Sequence, residues 1–216
     1  MRILSGLVAM SELSKTKEKI FDTFIEMTSA SGYENVTIRE ISRRVGINAA
    51  SIYHHYDSKE QILEHVYEYY ARHYFDTRKP VEEMKKLIET ADAEEFMFAM
   101  TRNYVSDDPK KHVRMILITK IVYMRLFQDA SANTMFIEHN LDDYRYVVEI
   151  LQYGIDVGRI LPDFDMEIFA RVLTGSMMAM GIEAFADPNY TVGLLDHEVR
   201  VRKMLVRLFK TALRSC

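Results

Sequence analysis

A chain of 216 residues with 48% hydrophobic and 28% charged side chains is long enough to bury a substantial core in one large or two small domains. Only eight Gly and four Pro interrupt it, so helices are favoured over many short strands and the reading is all-α. The single cysteine, Cys216, excludes an internal disulfide framework and a thiolate metal cluster and suits a reducing cytoplasm, and the net charge of -4 excludes a protein that coats nucleic acid through overall charge, leaving only a local basic face.

The opening "MRILSGLVAM" pairs one arginine with a short apolar run. It lacks a small-residue cleavage signal and falls short of the roughly 20 apolar residues of a membrane span. Residues 1–13 therefore read as a ragged extension, with Met10 an alternative start. From residue 15, Ile20, Phe21, Phe24, Ile25 and Met27 recur at helical spacing until Gly32 closes the helix. Thr37 followed by Glu40 is a capping box that opens a second short helix through Val45. Gly46 supplies a turn, Asn48 caps a third helix over about residues 49–55, and Asp57 or Ser58 caps a fourth over 58–78. That fourth helix carries Ile62, Leu63, Val66, Tyr70 and Tyr74 on one stripe and stops before Pro80. Further helices are expected near 80–90, 93–105, 109–129, 133–157, 165–186 and 192–214, divided by Pro109, Gly158, Pro162 and Pro188. The organisation predicted is a three-helix head over 14–57 and a larger helical domain over 58–216, with about nine or ten helices.

Two helices joined by a tight glycine turn can place the second in the major groove of DNA. Val36, Ile41, Val45, Ile47 and Ile52 supply the core of such a unit, which leaves Ala49, Ala50, Ser51, His54 and His55 outside it. Small residues there allow close approach to base edges, and a serine hydroxyl can donate or accept. Thr37, Ser58 and Lys59 stand at helix starts, where phosphate is favoured. Lys59 opposes the helix dipole, a penalty that a phosphate would reverse; the alternative is a solvated surface lysine. Tyr56 reads as core and Tyr53 as phosphate-facing. Arg43 and Arg44 read as general electrostatic contributors.

These residues carry a resemblance. Over about residues 15–66, Gly32-Tyr33, Thr37, Arg39, Ile41, Gly46, Ser51-Ile52-Tyr53, Tyr56 and Lys59-Glu60 closely resemble the DNA-binding head of the TetR family of bacterial one-component transcriptional regulators. The resemblance implies that Thr37, Tyr53 and Lys59 contact phosphates and that Arg39, Ala49, Ser51 and His55 lie at or near base edges, with Asn48, Ala50 and His54 completing the DNA-facing set. Asn48 stands where the family often has Ser, and Ala50 where Gly is common.

Between Ile168 and Ala186 only Arg171 and Glu183 are charged, so this helix needs cover on more than one side. Val172, Gly175, Ser176 and Ala179 permit close approach, and Val201, Met204, Leu205, Leu208 and Phe209 form a stripe on the last helix. A homodimer through a four-helix interface is the simplest solution, against the alternative of a core helix in a monomer. Phe96, Met100, Tyr104, Met115, Ile118, Val122, Tyr123, Tyr144, Val147, Phe169 and Met177 are soft or aromatic; taken singly they read as core, and the family resemblance implies a pocket for a small, largely apolar effector. The expected function is a cytoplasmic, ligand-responsive repressor that binds a palindromic operator in double-stranded DNA. The alternatives are an activator or a helical small-molecule-binding protein. An enzyme is not expected: Glu-x-x-His pairs, HExxH, Walker A and GxSxG patterns are absent, and no cofactor, metal or membrane is called for.

Overall fold

Local capping sets most of the helix ends. A computed structural model describes residues 2–74, 78–101, 108–186 and 196–213, without the side chains of 2–14, 180, 181, 183–186 and 196–198. Among them are ten α-helices: α1 (Arg2–Ser31), α2 (Ile38–Val45), α3 (Ala49–Ile52), α4 (Lys59–His73), α5 (Val81–Thr90), α6 (Ala93–Thr101), α7 (Pro109–Arg125), α8 (Ala130–Asp156), α9 (Met166–Ala186) and α10 (Asp196–Ala212). A 3-10 turn, Tyr33–Asn35, follows α1. The all-α reading is correct, and among the described residues the one β feature is an isolated bridge between Ile160 and Leu213. Two expectations are corrected. Residues 2–13 continue α1 instead of forming a ragged leader, and α3 ends at Ile52, its tail to His55 and Tyr56 closing as turns onto the Ile52 carbonyl at 2.8 and 3.0 Å.

The chain divides into two compact units. The first comprises residues 1–74 and 108–134. Its core takes Ile20, Phe24 and Ile25 from α1, Ile41 from α2, Ile52 from α3, Ile62 and Val66 from α4, and Ile118, Ile121 and Val122 from α7. Each such side chain stabilises the fold by about 1.5–3 kcal/mol through burial. Polar bonds fix α7 against α1. The Arg114 guanidinium donates to both Asp22 carboxylate oxygens, at 2.8 and 2.9 Å, and to Glu18 at 2.7 Å, with Lys110 donating to Glu18 at 3.1 Å. A two-pronged arginine–carboxylate pair fixes orientation as well as proximity.

The second unit comprises residues 75–107 and 135–216. Its core joins Met84 and Ile88 of α5, Phe96 and Met97 of α6, Ile150 and Leu151 of α8, Phe169 and Leu173 of α9, and Leu205 and Phe209 of α10. Phe96 and Phe209 stack with ring centroids 4.8 Å apart. Gly154 of α8 allows a close approach: a Cβ there would lie 2.7 Å from the side-chain ends of both Ile88 and Ile160, which would have to shift. Leu205 and Phe209, expected at a subunit interface, instead belong to this core, each 1% exposed.

Candidate nucleic-acid interface

The head begins where the capping box forms. Thr37 Oγ1 accepts from the Glu40 backbone N–H at 3.3 Å, and the Glu40 carboxylate accepts from the Thr37 N–H at 3.1 Å and from its hydroxyl at 2.8 Å. A threonine hydroxyl has one proton, and phosphate oxygens only accept. To hold a phosphate, Thr37 must therefore turn its hydroxyl away from Glu40. At the other end of α2, Gly46 adopts φ +83°, the left-handed region, and its N–H reaches the Ser42 carbonyl at 2.9 Å. Lys19 of α1 donates to the Val45 carbonyl at 2.8 Å, a cation on a helix C-terminus. The chain then enters α3 through Asn48, whose Oδ1 accepts from the Ser51 N–H at 2.7 Å and from the Ser51 hydroxyl at 2.9 Å. Ser51 thus keeps acceptor capacity while its proton serves the cap.

Around this turn Ala50, Tyr53 and His54 are exposed, and Ala49, Ser51 and His55 are half-buried. Tyr53 is 54% exposed, whereas Tyr56 is buried and its hydroxyl meets His65 Nδ1 at 2.8 Å. Burial, then the neighbouring His54 and Lys17, hold the His55 imidazole below its ordinary 6.5. At neutral pH it is an uncharged ring with one donor and one acceptor, which suits a base edge better than a phosphate.

The cations of α2 divide by flank. Arg44 lies 3.6 Å from Glu26 of α1. Arg39 and Arg43, one turn apart on the other flank, are exposed and have no ion-pair partner among the described residues. Lys59, the first residue of α4, is half-buried and donates to the carbonyls of Tyr33 at 3.1 Å and Val36 at 3.0 Å. Those carbonyls offset the penalty of a cation at a helix start, so Lys59 is not the solvated lysine that was the alternative reading. Ser58 caps α4, accepting from the Gln61 N–H at 3.2 Å. Sequence reasoning assigned no role to Tyr33 beyond its place in the motif and none to Arg125, which the fold brings together across 92 positions. The Arg125 guanidinium carbon lies 4.5 Å from the centre of the Tyr33 ring.

The residues expected to line an effector pocket fall in different places. Phe96, Met100, Val147 and Phe169 lie in the core of the second unit, with Tyr144 and Met177 packed against it. Met115, Ile118, Val122 and Tyr123 lie on α7 in the first unit, and Tyr104 lies outside the described residues. An open groove of about 520 Å³ along α5 and α8 includes Tyr144 beside Lys85, Glu149 and Tyr153. No group of three metal-ligating side chains occurs among the described residues, and no described helix is long and apolar enough to cross a membrane.

A capped helix, a glycine turn and a second capped helix packed on α1 define the helix-turn-helix class of DNA-binding head. Residues 20–66 match the sequence profile of the bacterial regulatory proteins, tetR family. Over 46 residues the chain is 48% identical to the biofilm operon icaADBC HTH-type negative transcriptional regulator IcaR of Staphylococcus epidermidis, covering 21% of this chain and 25% of that protein. Over 48 residues it is 44% identical to IcaR of Staphylococcus aureus strain Newman, covering 22% and 26%. The aligned segments thus span about a quarter of these relatives. Across almost the whole chain the fold is similar to the TetR-family regulator of Cytophaga hutchinsonii, with TM-score 0.63, 14% identity and coverage of 95% of this chain and 98% of that one. It is also similar to NalD, the secondary repressor of the MexAB-OprM multidrug efflux pump in Pseudomonas aeruginosa, with TM-score 0.60, 14% identity and coverage of 95% and 100%. The head, residues 20–66, is thus similar to that of the tetR family of bacterial regulatory proteins, and over the rest of the chain the likeness is one of fold.

Proposed function

We propose that this chain is a ligand-responsive transcriptional repressor that binds a palindromic operator as a homodimer and is released by a small, largely apolar effector. The observation that carries the DNA-binding part is the head itself. Caps at Thr37, Asn48 and Ser58 and the left-handed Gly46 fix its helices, while Arg39, Ala50, Tyr53 and His54 stay exposed around the turn. Two heads about 34 Å apart, one duplex turn, read a palindrome, and one head alone binds weakly.

The homodimer is supported by α9. Phe169, Ala170 and Leu173 face the core, while Ile168, Val172, Gly175, Ala179 and Ile182 remain exposed at spacings of four and three residues. That alternation is the seam on which two helices pack. On α10, Met204 and Leu208 are 59% and 43% exposed one turn apart, and Val201 of α10 and Ser176 of α9 are half-buried. The proposed interface therefore keeps Val172, Gly175, Ser176, Ala179, Val201, Met204 and Leu208, and adds Ile168 and Ile182. The effector is supported by the methionine and aromatic content of the second unit, whose side chains adapt to a guest. Linkage requires that an effector which lowers operator affinity be itself bound less tightly by the operator complex.

Selecting sequences bound by the full chain from a random duplex pool tests the reading. The expected result is an inverted repeat whose affinity falls steeply with salt, followed by release on adding the cognate compound from an apolar library. Binding without sequence preference overturns the regulator reading. Compounds bound without any DNA preference would instead support the helical small-molecule-binding protein.

A further inference from the structure

Tyr33 lies where three segments distant in sequence meet. Its ring centre is 3.9 Å from Lys59 Nζ and 4.5 Å from the Arg125 guanidinium carbon. Its hydroxyl donates to the Glu60 carboxylate at 2.9 Å, and its carbonyl is one of the two that hold the Lys59 ammonium. Arg125, on the last turn of α7, is itself held by Glu34 at 3.3 Å and by Asp129 at 3.4 Å, and Asp129 accepts from the Tyr67 hydroxyl at 3.0 Å. Each cation is attracted to the π face, and the three carboxylates around them limit their mutual repulsion.

The consequence concerns Lys59. An ammonium has three protons, and two are committed to the Tyr33 and Val36 carbonyls. A free lysine side chain gives up rotamer entropy when it is fixed on a ligand. Here the side chain is already fixed before DNA arrives, with one N–H remaining. We propose that Tyr33 and Arg125 are positioning residues for operator binding: the stacked ring holds the Lys59 ammonium ready for one backbone phosphate, and a residue of α7 thereby contributes to the grip of the head. This rests on the reading of Lys59 as a phosphate contact. It assigns Tyr33 a role in DNA affinity distinct from its packing.

The test uses the full chain and its selected operator duplex, with the dissociation constant measured across a salt series. Lys59→Ala is expected to lower the log–log salt slope by about 0.9, the loss of one phosphate contact. Tyr33→Leu is expected to lower it by a similar amount, and the Tyr33→Leu, Lys59→Ala double variant by no more than Lys59→Ala alone. Tyr33→Phe keeps the ring and is expected to keep the slope. Arg125→Gln, outside the helix-turn-helix, should weaken binding in wild-type protein but have no effect on binding in the Lys59→Ala background. A wild-type slope in Tyr33→Leu and Arg125→Gln, beside a reduced slope in Lys59→Ala, overturns this proposal alone. A wild-type slope in Lys59→Ala overturns it together with the phosphate reading of Lys59, and wild-type protein without sequence-specific binding overturns the regulator reading.

Discussion

Cations of the head divide by what already holds them. Lys19 serves the Val45 carbonyl, Lys59 the Tyr33 and Val36 carbonyls, Arg44 faces Glu26, and Lys17 lies over the Tyr56 ring at 5.0 Å. Arg39 on its exposed flank has no such commitment. Arg39→Ala is therefore expected to weaken specific operator binding by about 1–3 kcal/mol and to relax preference at one base pair. Arg44→Ala, losing a surface pair worth well under ~1 kcal/mol, should change sequence preference little. Fluorescence anisotropy against the operator and a panel of single-base variants compares them, and equal effects of the two substitutions would count against the assignment.

His65 of α4 gives a second expectation at this scale. Its ring lies 4.4 Å from Phe21, and burial, followed by Lys17, holds its pKa below the ordinary 6.5; Arg72 and Arg114 add to the lowering, and Glu68 opposes it. Burial also pushes the Tyr56 hydroxyl well above its usual range, so Tyr56 stays protonated, and its hydroxyl is paired with His65 Nδ1. The unfolded chain binds the His65 proton more tightly than the folded one. This contribution to stability is complete above the unfolded value of 6.5 and is lost as pH falls through the lower folded value. Melting temperatures measured between about pH 7.5 and 5.5 should fall more for wild type than for His65→Gln. The depressed carboxylates Glu18, Glu60 and Asp129 titrate in a more acidic window and do not mask the effect. Parallel curves for the two proteins would remove His65 as the cause.

At the scale of elements, α2 is ended by Gly46 in the left-handed region with open space around it, since an added Cβ there would meet nothing within 4 Å. Gly46→Ala therefore costs backbone strain without a clash, about 1–2 kcal/mol, and should lower the melting temperature while leaving a folded, DNA-binding head. Loss of folding, seen by circular dichroism, would show that the turn tolerates less than this geometry implies. These helix ends were legible in the sequence because a cap and the group it satisfies lie three or four residues apart: Thr37 with Glu40, Asn48 with Ser51, Ser58 with Gln61. The start of α1 and the 3-10 turn at Tyr33–Asn35 were not legible. Neither carries a local cap signal, and the turn is held by Lys59, 26 positions away from Tyr33.

For the whole molecule, the two faces of α10 make opposite predictions. Phe209 stacks on Phe96 in the core, so Phe209→Ala should destabilise the chain by about 3–5 kcal/mol in a denaturant titration, whatever its oligomeric state. Met204 is exposed one turn from Leu208, so Met204→Glu should leave the helical content of the second unit unchanged by circular dichroism and halve the mass seen by light scattering. An unchanged mass for Met204→Glu would move the proposed dimer seam elsewhere. The expected interface stripe had merged these two faces, because Val201, Met204, Leu205, Leu208 and Phe209 are all apolar and their spacing alone does not say which flank meets the subunit's own core.

What the sequence by itself determined is the all-α fold, the capped head with its glycine turn, and the boundaries of most helices. Their causes are interactions within one helical turn, written in residues a few positions apart. The tertiary structure decided which apolar side chains of α10 face inward, which cations are already held by backbone carbonyls or carboxylates, and that Arg125 reaches Tyr33 across most of the first unit. Each of these depends on segments brought together by burial of apolar surface, a non-directional force that reads total area, so the pairings it creates leave no spacing in the chain to be read.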